Sequence, residues 1–168
     1  MATIESYDFS TKRALVRVDF NVPLNKETME VTDDTRIRAA LPTINHILAK
    51  GGSVVLMSHL GRPKEGPEDK YSLRHLISHI EKLVQKPVKF AADCIGSTAF
   101  EMSASLKPGE ILLLENVRFY KQETAGTESF AADLAKHGQC YVNDAFGTAH
   151  RAHASTTVVA NYFPNDKM

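Results

Sequence analysis

Two hydrophobic rhythms take turns along this chain, one of period two and one of helical period. Arg13 to Val22 (Arg-Ala-Leu-Val-Arg-Val-Asp-Phe-Asn-Val) alternates and predicts a first strand, with Asp19 and Asn21 at its far end; Pro23 then withholds a ladder donor. Beyond Thr32 or Asp33 as cap, Ile37, Leu41, Ile44, Ile47 and Leu48 recur at helical spacing, with a kink or break expected at Pro42 and a stop at Gly51-Gly52. Val54 to Met57 is a short apolar run, the mark of a strand covered on both faces. Lys64 to Lys70 is a charged loop, expected to be disordered. Ser72 is expected to cap an amphipathic helix through Leu73, Leu76, Ile77, Ile80, Leu83 and Val84. Pro87 to Ala91 gives a third strand, and Thr98 with Glu101 a capping box for a helix to about Leu106. A strand over Glu110 to Phe119, a helix over Glu128 to Lys136 and a strand over Cys140 to Phe146 follow, then a loop over Gly147 to Thr156. The final residues are expected to be disordered.

Alternation of strand and helix without an internal repeat predicts an α/β fold, a doubly wound parallel sheet with helices on both faces, Rossmann-like and incomplete at its carboxyl end. In such sheets ligands lie beyond the carboxyl ends of the strands. Four strand ends would bring Asp19, Asn21, His59, Arg62, Arg118 and Asn143 to one edge, with Arg36 and Arg151 added from the following segments. Ser58-His-Leu-Gly-Arg-Pro63 delivers a histidine and an arginine directly after the second strand. Arginine forks match phosphate and carboxylate bidentately, so several of them suit a small ligand of about three negative charges. Asp19 and Asn21 suit a hydroxyl, or the orientation of an arginine. Solvated surface charges are the plainer reading of the same residues.

Composition narrows the choice. A chain of 168 residues holds one domain, and a formal net charge of zero gives no general attraction to nucleic acid or to a membrane surface, so any anion site must be local. Cys94 and Cys140 lie far apart and fit inert packing in a reducing, cytoplasmic setting. Gly61 and Gly66 have the spacing of a nucleotide phosphate loop, but Pro67-Glu68 stand where Lys-Ser/Thr is required. His75 with His79, and His150 with His153, have spacings found in metal sites but lack the accompanying carboxylate pattern, so no metal is expected.

Four stretches carry a specific resemblance: Arg17-Val-Asp-Phe-Asn-Val-Pro-Leu24, Ser58-His-Leu-Gly-Arg-Pro63, Leu114-Glu-Asn-Val-Arg-Phe119 and Tyr141-Val-Asn-Asp-Ala-Phe-Gly-Thr-Ala-His-Arg-Ala-His153. Together, in this order, they resemble the amino-terminal half of phosphoglycerate kinase, collinear from about Lys12 onward. The resemblance implies a substrate-binding lobe for 3-phosphoglycerate and 1,3-bisphosphoglycerate, and transfer of phosphate to ADP in a cytoplasmic parent enzyme expected to be a monomer. It implies a site of Asp19, Phe20, Asn21, Arg36, His59, Leu60, Gly61, Arg62, Arg118 and Arg151. His59, Arg62, Arg118 and Arg151 would hold the non-transferred phosphate, Asp19 and Asn21 the carboxylate and hydroxyl end, and Arg36 the phosphoryl group in flight. The family's Mg-ATP and Mg-ADP site belongs to a carboxyl-terminal lobe whose motifs are not in this sequence, so the chain is expected to be an amino-terminal fragment, inactive alone and binding no cofactor. A stand-alone, non-catalytic binding module for a small phosphorylated acid is the alternative from another class.

Overall fold

The computed structural model describes residues 2–64, 66–145 and 152–168. Five parallel strands form one sheet: β1 (Arg13–Val18), β2 (Ser53–Met57), β3 (Val88–Ala91), β4 (Ile111–Leu114) and β5 (Cys140–Asp144), in the order β3-β4-β2-β1-β5. The helices are α1 (Thr35–Ala49), α2 (Ile77–Val84), α3 (Ser97–Ala104), α4 (Lys121–Ala125) and α5 (Glu128–Ala135).

Alternate residues of each strand serve different helical layers, which is why the sheet is apolar on both sides. Ala14, Val16, Val18, Val54, Leu56, Ile111 and Leu113 meet Ile37, Ile44 and Ile47 of α1 and Ile80 and Val84 of α2. Leu15, Val55, Met57, Leu112, Leu114 and Tyr141 meet Ala99 of α3 and Phe130, Ala131 and Leu134 of α5. The chain after β1 and β2 thus turns to one face, and after β3 and β4 to the other. Reversal between neighbouring strands opens a crevice at their carboxyl ends, and β2 and β4 are such neighbours.

Several local expectations change. The first strand ends at Val18, and Asp19 to Asn21 lie beyond it; the fourth ends at Leu114, because Glu115 and Asn116 turn away into a 3-10 turn at Val117–Phe119. Helix α1 continues through Pro42, with Asp33 accepting from the Thr35 backbone N–H at 2.9 Å just before the helix. Ser72 caps a 3-10 turn over Leu73–Leu76 that then passes into α2. No capping box forms at Thr98: Gly96, at a positive φ, stands at the start of α3, with no side-chain cap. Three elements had no apolar signature: α4 and the helical turns over Ala154–Val158 and Val159–Tyr162. Asp69–Tyr71 forms a 3-10 turn that overlaps the end of the Lys64 to Lys70 stretch expected to be disordered. The final residues are paired: Tyr141 N–H donates to Asp166 O at 2.8 Å and Asn143 N–H to Met168 O at 3.0 Å, beside β5. Tyr7 Oη donates to Asp166 Oδ1 at 2.7 Å and holds that tail from the other side.

Candidate functional site: a basic rim at the strand ends

Three loops meet where the sheet's carboxyl edge opens. Phe20 donates its backbone N–H to Ser58 Oγ at 2.9 Å, which joins the segment after β1 to the segment after β2. Asn21 Oδ1 accepts the Gly61 N–H at 2.9 Å and makes the same join one step farther out. Val117 N–H donates to Ser58 O at 3.1 Å, and Asn116 Nδ2 donates to Leu60 O at 2.8 Å and Tyr71 O at 2.9 Å, adding the segment after β4. Asn116 is fully buried, so these amide bonds satisfy backbone carbonyls where water cannot reach.

On this frame Arg36, exposed on the first turn of α1, donates to Asn21 O at 2.7 Å and lies 3.4 Å from Asp19 Oδ1. Asp19 therefore orients an arginine. As an exposed pair its contribution to stability is small, and its geometric consequence is that Arg36 leans over the loop after β1. Arg62 and Arg118 line one cleft of about 330 Å³ together with Lys64, Lys121 and Tyr120. Asn21, Leu60 and Gly61 line a second cleft of about 550 Å³ with Val22, Leu24 and Tyr71.

His59 sits between these groups, 5 % exposed. Burial, then the charges of Arg17, Arg118, His153 and Arg36, push its pKa down to about 3, so the imidazole is neutral near pH 7. The same charges fix its neighbourhood, since they act on one ring from four different segments. Phe20 and Leu60 contribute backbone here; their side chains lie in the core on the α1 face. Asn143 is occupied at the end of β5, accepting from Ala145 N–H at 3.0 Å. Arg151 lies outside the described residues. His75 and His79 are apart from the rim, paired with Asp69 and Asp34.

A family model described as phosphoglycerate kinase matches residues 4–167. The chain belongs to the phosphoglycerate kinase family. It is 56% identical over 155 residues to the chloroplastic phosphoglycerate kinase of Volvox carteri, covering 92% of this chain and 34% of that protein. It is 49% identical over 187 residues to the phosphoglycerate kinase of Porphyromonas gingivalis, covering 98% of this chain and 44% of that one. Among solved structures, the phosphoglycerate kinase of Coxiella burnetii superposes with a TM-score of 0.83 at 36% identity, over 95% of this chain and 39% of the other. That of Pyrococcus horikoshii gives 0.87 at 31% identity, over 99% and 42%. The chain thus spans well under half the length of these phosphoglycerate kinases.

Within this phosphoglycerate kinase sheet one important cation is hidden from the hydrophobic pattern. Arg17 is fully buried in β1, donating from Nε to Ser155 Oγ at 2.8 Å and from Nη1 to the Val18 carbonyl, with Nη2 3.1 Å from His59 Nδ1. Burial lowers its pKa, while Glu123 opposes the shift; the guanidinium remains charged. In an alternating strand Arg17 counts as a polar, outward position. The available signal was that Leu15 and Arg17 share one face of a sheet covered on both sides.

Proposed function

We propose that this chain is the phosphoglycerate-binding lobe of a phosphoglycerate kinase, holding 3-phosphoglycerate or 1,3-bisphosphoglycerate for reversible phosphoryl transfer to ADP. The observation that carries the reading is the convergence on His59: arginines from β1, from α1 and from the segment after β4 all act on this one buried ring. Arginine forks fit phosphate and carboxylate oxygens bidentately. His59, Arg62, Arg118 and Arg151 are assigned to the non-transferred phosphate, Asp19 and Asn21 to the carboxylate and hydroxyl end. Leu60 and Gly61 complete the set as the turn that carries Arg62, the Gly61 N–H being held by Asn21 Oδ1.

Phosphoryl transfer asks a protein mainly for in-line positioning and compensation of charge on the moving group. Arg36 suits the charge compensation. It reaches the rim from a helix and is held on the Asn21 carbonyl, leaving further N–H groups of its fork for an incoming phosphoryl oxygen. Closure of a second lobe would exclude water from that step.

In sequence, the Gly61 to Gly66 stretch has Pro67-Glu68 where a nucleotide phosphate loop needs Lys-Ser/Thr. The nucleotide is therefore assigned to the family's remaining length, and the chain alone is expected to be without turnover.

Titration of the 15N-labelled chain with 3-phosphoglycerate and, separately, with magnesium ATP tests the reading. The expected result is movement of the Asn21, Gly61, Arg62 and Arg118 amide resonances with phosphoglycerate alone. A response to ATP with none to phosphoglycerate overturns the assignment.

A further inference from the structure

A polar relay of buried side chains runs beneath the rim. Glu123 of α4 is fully buried; its carboxylate accepts from the Ser155 backbone N–H at 2.8 Å and from the Ser155 hydroxyl. Ser155 Oγ in turn accepts from Arg17 Nε at 2.8 Å, and Arg17 Nη2 faces Nδ1 of His59 at 3.1 Å. Four buried side chains from four segments are thus joined end to end.

The donor inventory fixes the direction of the last link. A guanidinium has only N–H donors and no acceptor. A neutral imidazole facing it must offer Nδ1 as an acceptor and carry its proton on Nε2. Nε2 of His59 makes no hydrogen bond among the described residues, so that proton remains available to a ligand. Protonation of the ring is opposed from every side that faces it: Arg17 on β1, Arg36 on α1, Arg118 after β4 and His153 ahead of the Ala154–Val158 turn.

We propose that Arg17 is a positioning residue, held by Glu123 through Ser155, that locks His59 as the neutral Nε2–H tautomer so that it meets the ligand phosphate as an uncharged, oriented donor. The identity of the ligand rests on the phosphoglycerate-binding reading; the tautomer does not. At this rim the arginines supply charge and the histidine supplies direction. Anion binding through His59 is therefore insensitive to histidine titration between about pH 6 and 8, where an ordinary histidine would change charge. It also makes Glu123 on α4 and Ser155 on the turn at Ala154–Val158, both fully buried, determinants of binding.

The test is a long-range 15N–1H spectrum of the histidine-labelled chain, without ligand, across about pH 6 to 8. The expected His59 signature is an unprotonated Nδ1 and a protonated Nε2, unchanged with pH. A protonated Nδ1, or a titration at the ordinary histidine pKa, overturns the proposal. Ser155→Ala is expected to release Arg17, mix the two His59 tautomers and weaken 3-phosphoglycerate binding about tenfold, the scale of one lost hydrogen bond to a charged group. Glu123→Gln, which keeps the shape and removes the charge, gives the same readout if Ser155→Ala does not fold. Unchanged His59 nitrogens in the folded variants overturn the relay. An Nε2–H signature in a chain that ignores phosphoglycerate supports the tautomer and defeats the functional reading, so the two failures are distinct.

Discussion

Asn21 Oδ1 and the Gly61 backbone N–H, 2.9 Å apart, join loops that are 40 residues distant in sequence. Arg36 rests on the carbonyl of the same Asn21. One asparagine thus sets both the turn that follows β2 and the pose of the arginine above it.

Asn21→Ala is expected to leave the Gly61 N–H unpaired and to cost about 1–2 kcal/mol of stability, the scale for a lost hydrogen bond at a partly buried site. Urea unfolding checks this. In the same variant 3-phosphoglycerate binding falls more than the loss of stability explains, because the loop carrying Arg62 is released.

Gly61→Ala acts through the backbone and through a neighbour. Gly61 has φ +63°, and an added Cβ would lie 2.3 Å from Cδ1 and Cε1 of Tyr71. The left-handed backbone alone costs a non-glycine residue roughly 1–3 kcal/mol. Adding Tyr71→Ala should relieve the clash and leave the backbone cost, which a double-mutant cycle read by urea unfolding separates.

Arg36→Ala removes a half-exposed side chain whose ion pair with Asp19 is 3.4 Å long, so stability should change by less than about 0.5 kcal/mol. In a phosphoglycerate kinase carrying the family's full length, the same change is expected to lower turnover by about 10³ or more, with a much smaller loss of phosphoglycerate affinity. Steady-state kinetics set against a binding titration decide it; equal losses would make Arg36 a binding group only.

Stability should fall on acidification, and two histidines give the sign. His59 is held near pKa 3 by burial and neighbouring cations, and burial lowers that of His137, whose ring nitrogens lie 2.8 Å from Ser103 Oγ and 2.7 Å from Cys94 O. The unfolded chain protonates both near about pH 6.5, so below that value it binds more protons than the folded chain. The unfolding free energy is then expected to be level above about pH 7 and to drop by up to about 1.4 kcal/mol per pH unit for each histidine below 6.5. For His59 the window reaches down toward its folded value of about 3. Urea unfolding from neutral pH downward measures the slope, and His137→Gln should remove one increment of it.

The sheet is legible in the sequence because its strands are short apolar runs, and a strand buried on both faces has little else to show. Helices α1, α2 and α5 follow from apolar spacing for the same reason. Helix α4 does not, since Lys-Gln-Glu-Thr-Ala has no apolar stripe and is held by the burial of Glu123. The fourth strand reads too long because Val117 and Phe119 continue the apolar count after Leu114, while Glu115 has already turned to accept from Ser72 and Leu73. At the site, charged residues at strand ends can be read from order and spacing. Arg17 cannot, because its partners Ser155 and Glu123 come from segments more than 100 residues away, and their meeting is a property of the fold.

The three residues paired beside β5 have a consequence for how this chain is handled. A sheet's outermost strand shows a row of unsatisfied amide groups that can recruit another chain, and Asp166 to Met168 cover part of that row on β5. Trimming them would bare a sticky border. Shortened versions should self-associate through it, and Tyr7, freed of Asp166, would be the first side chain to report the loss.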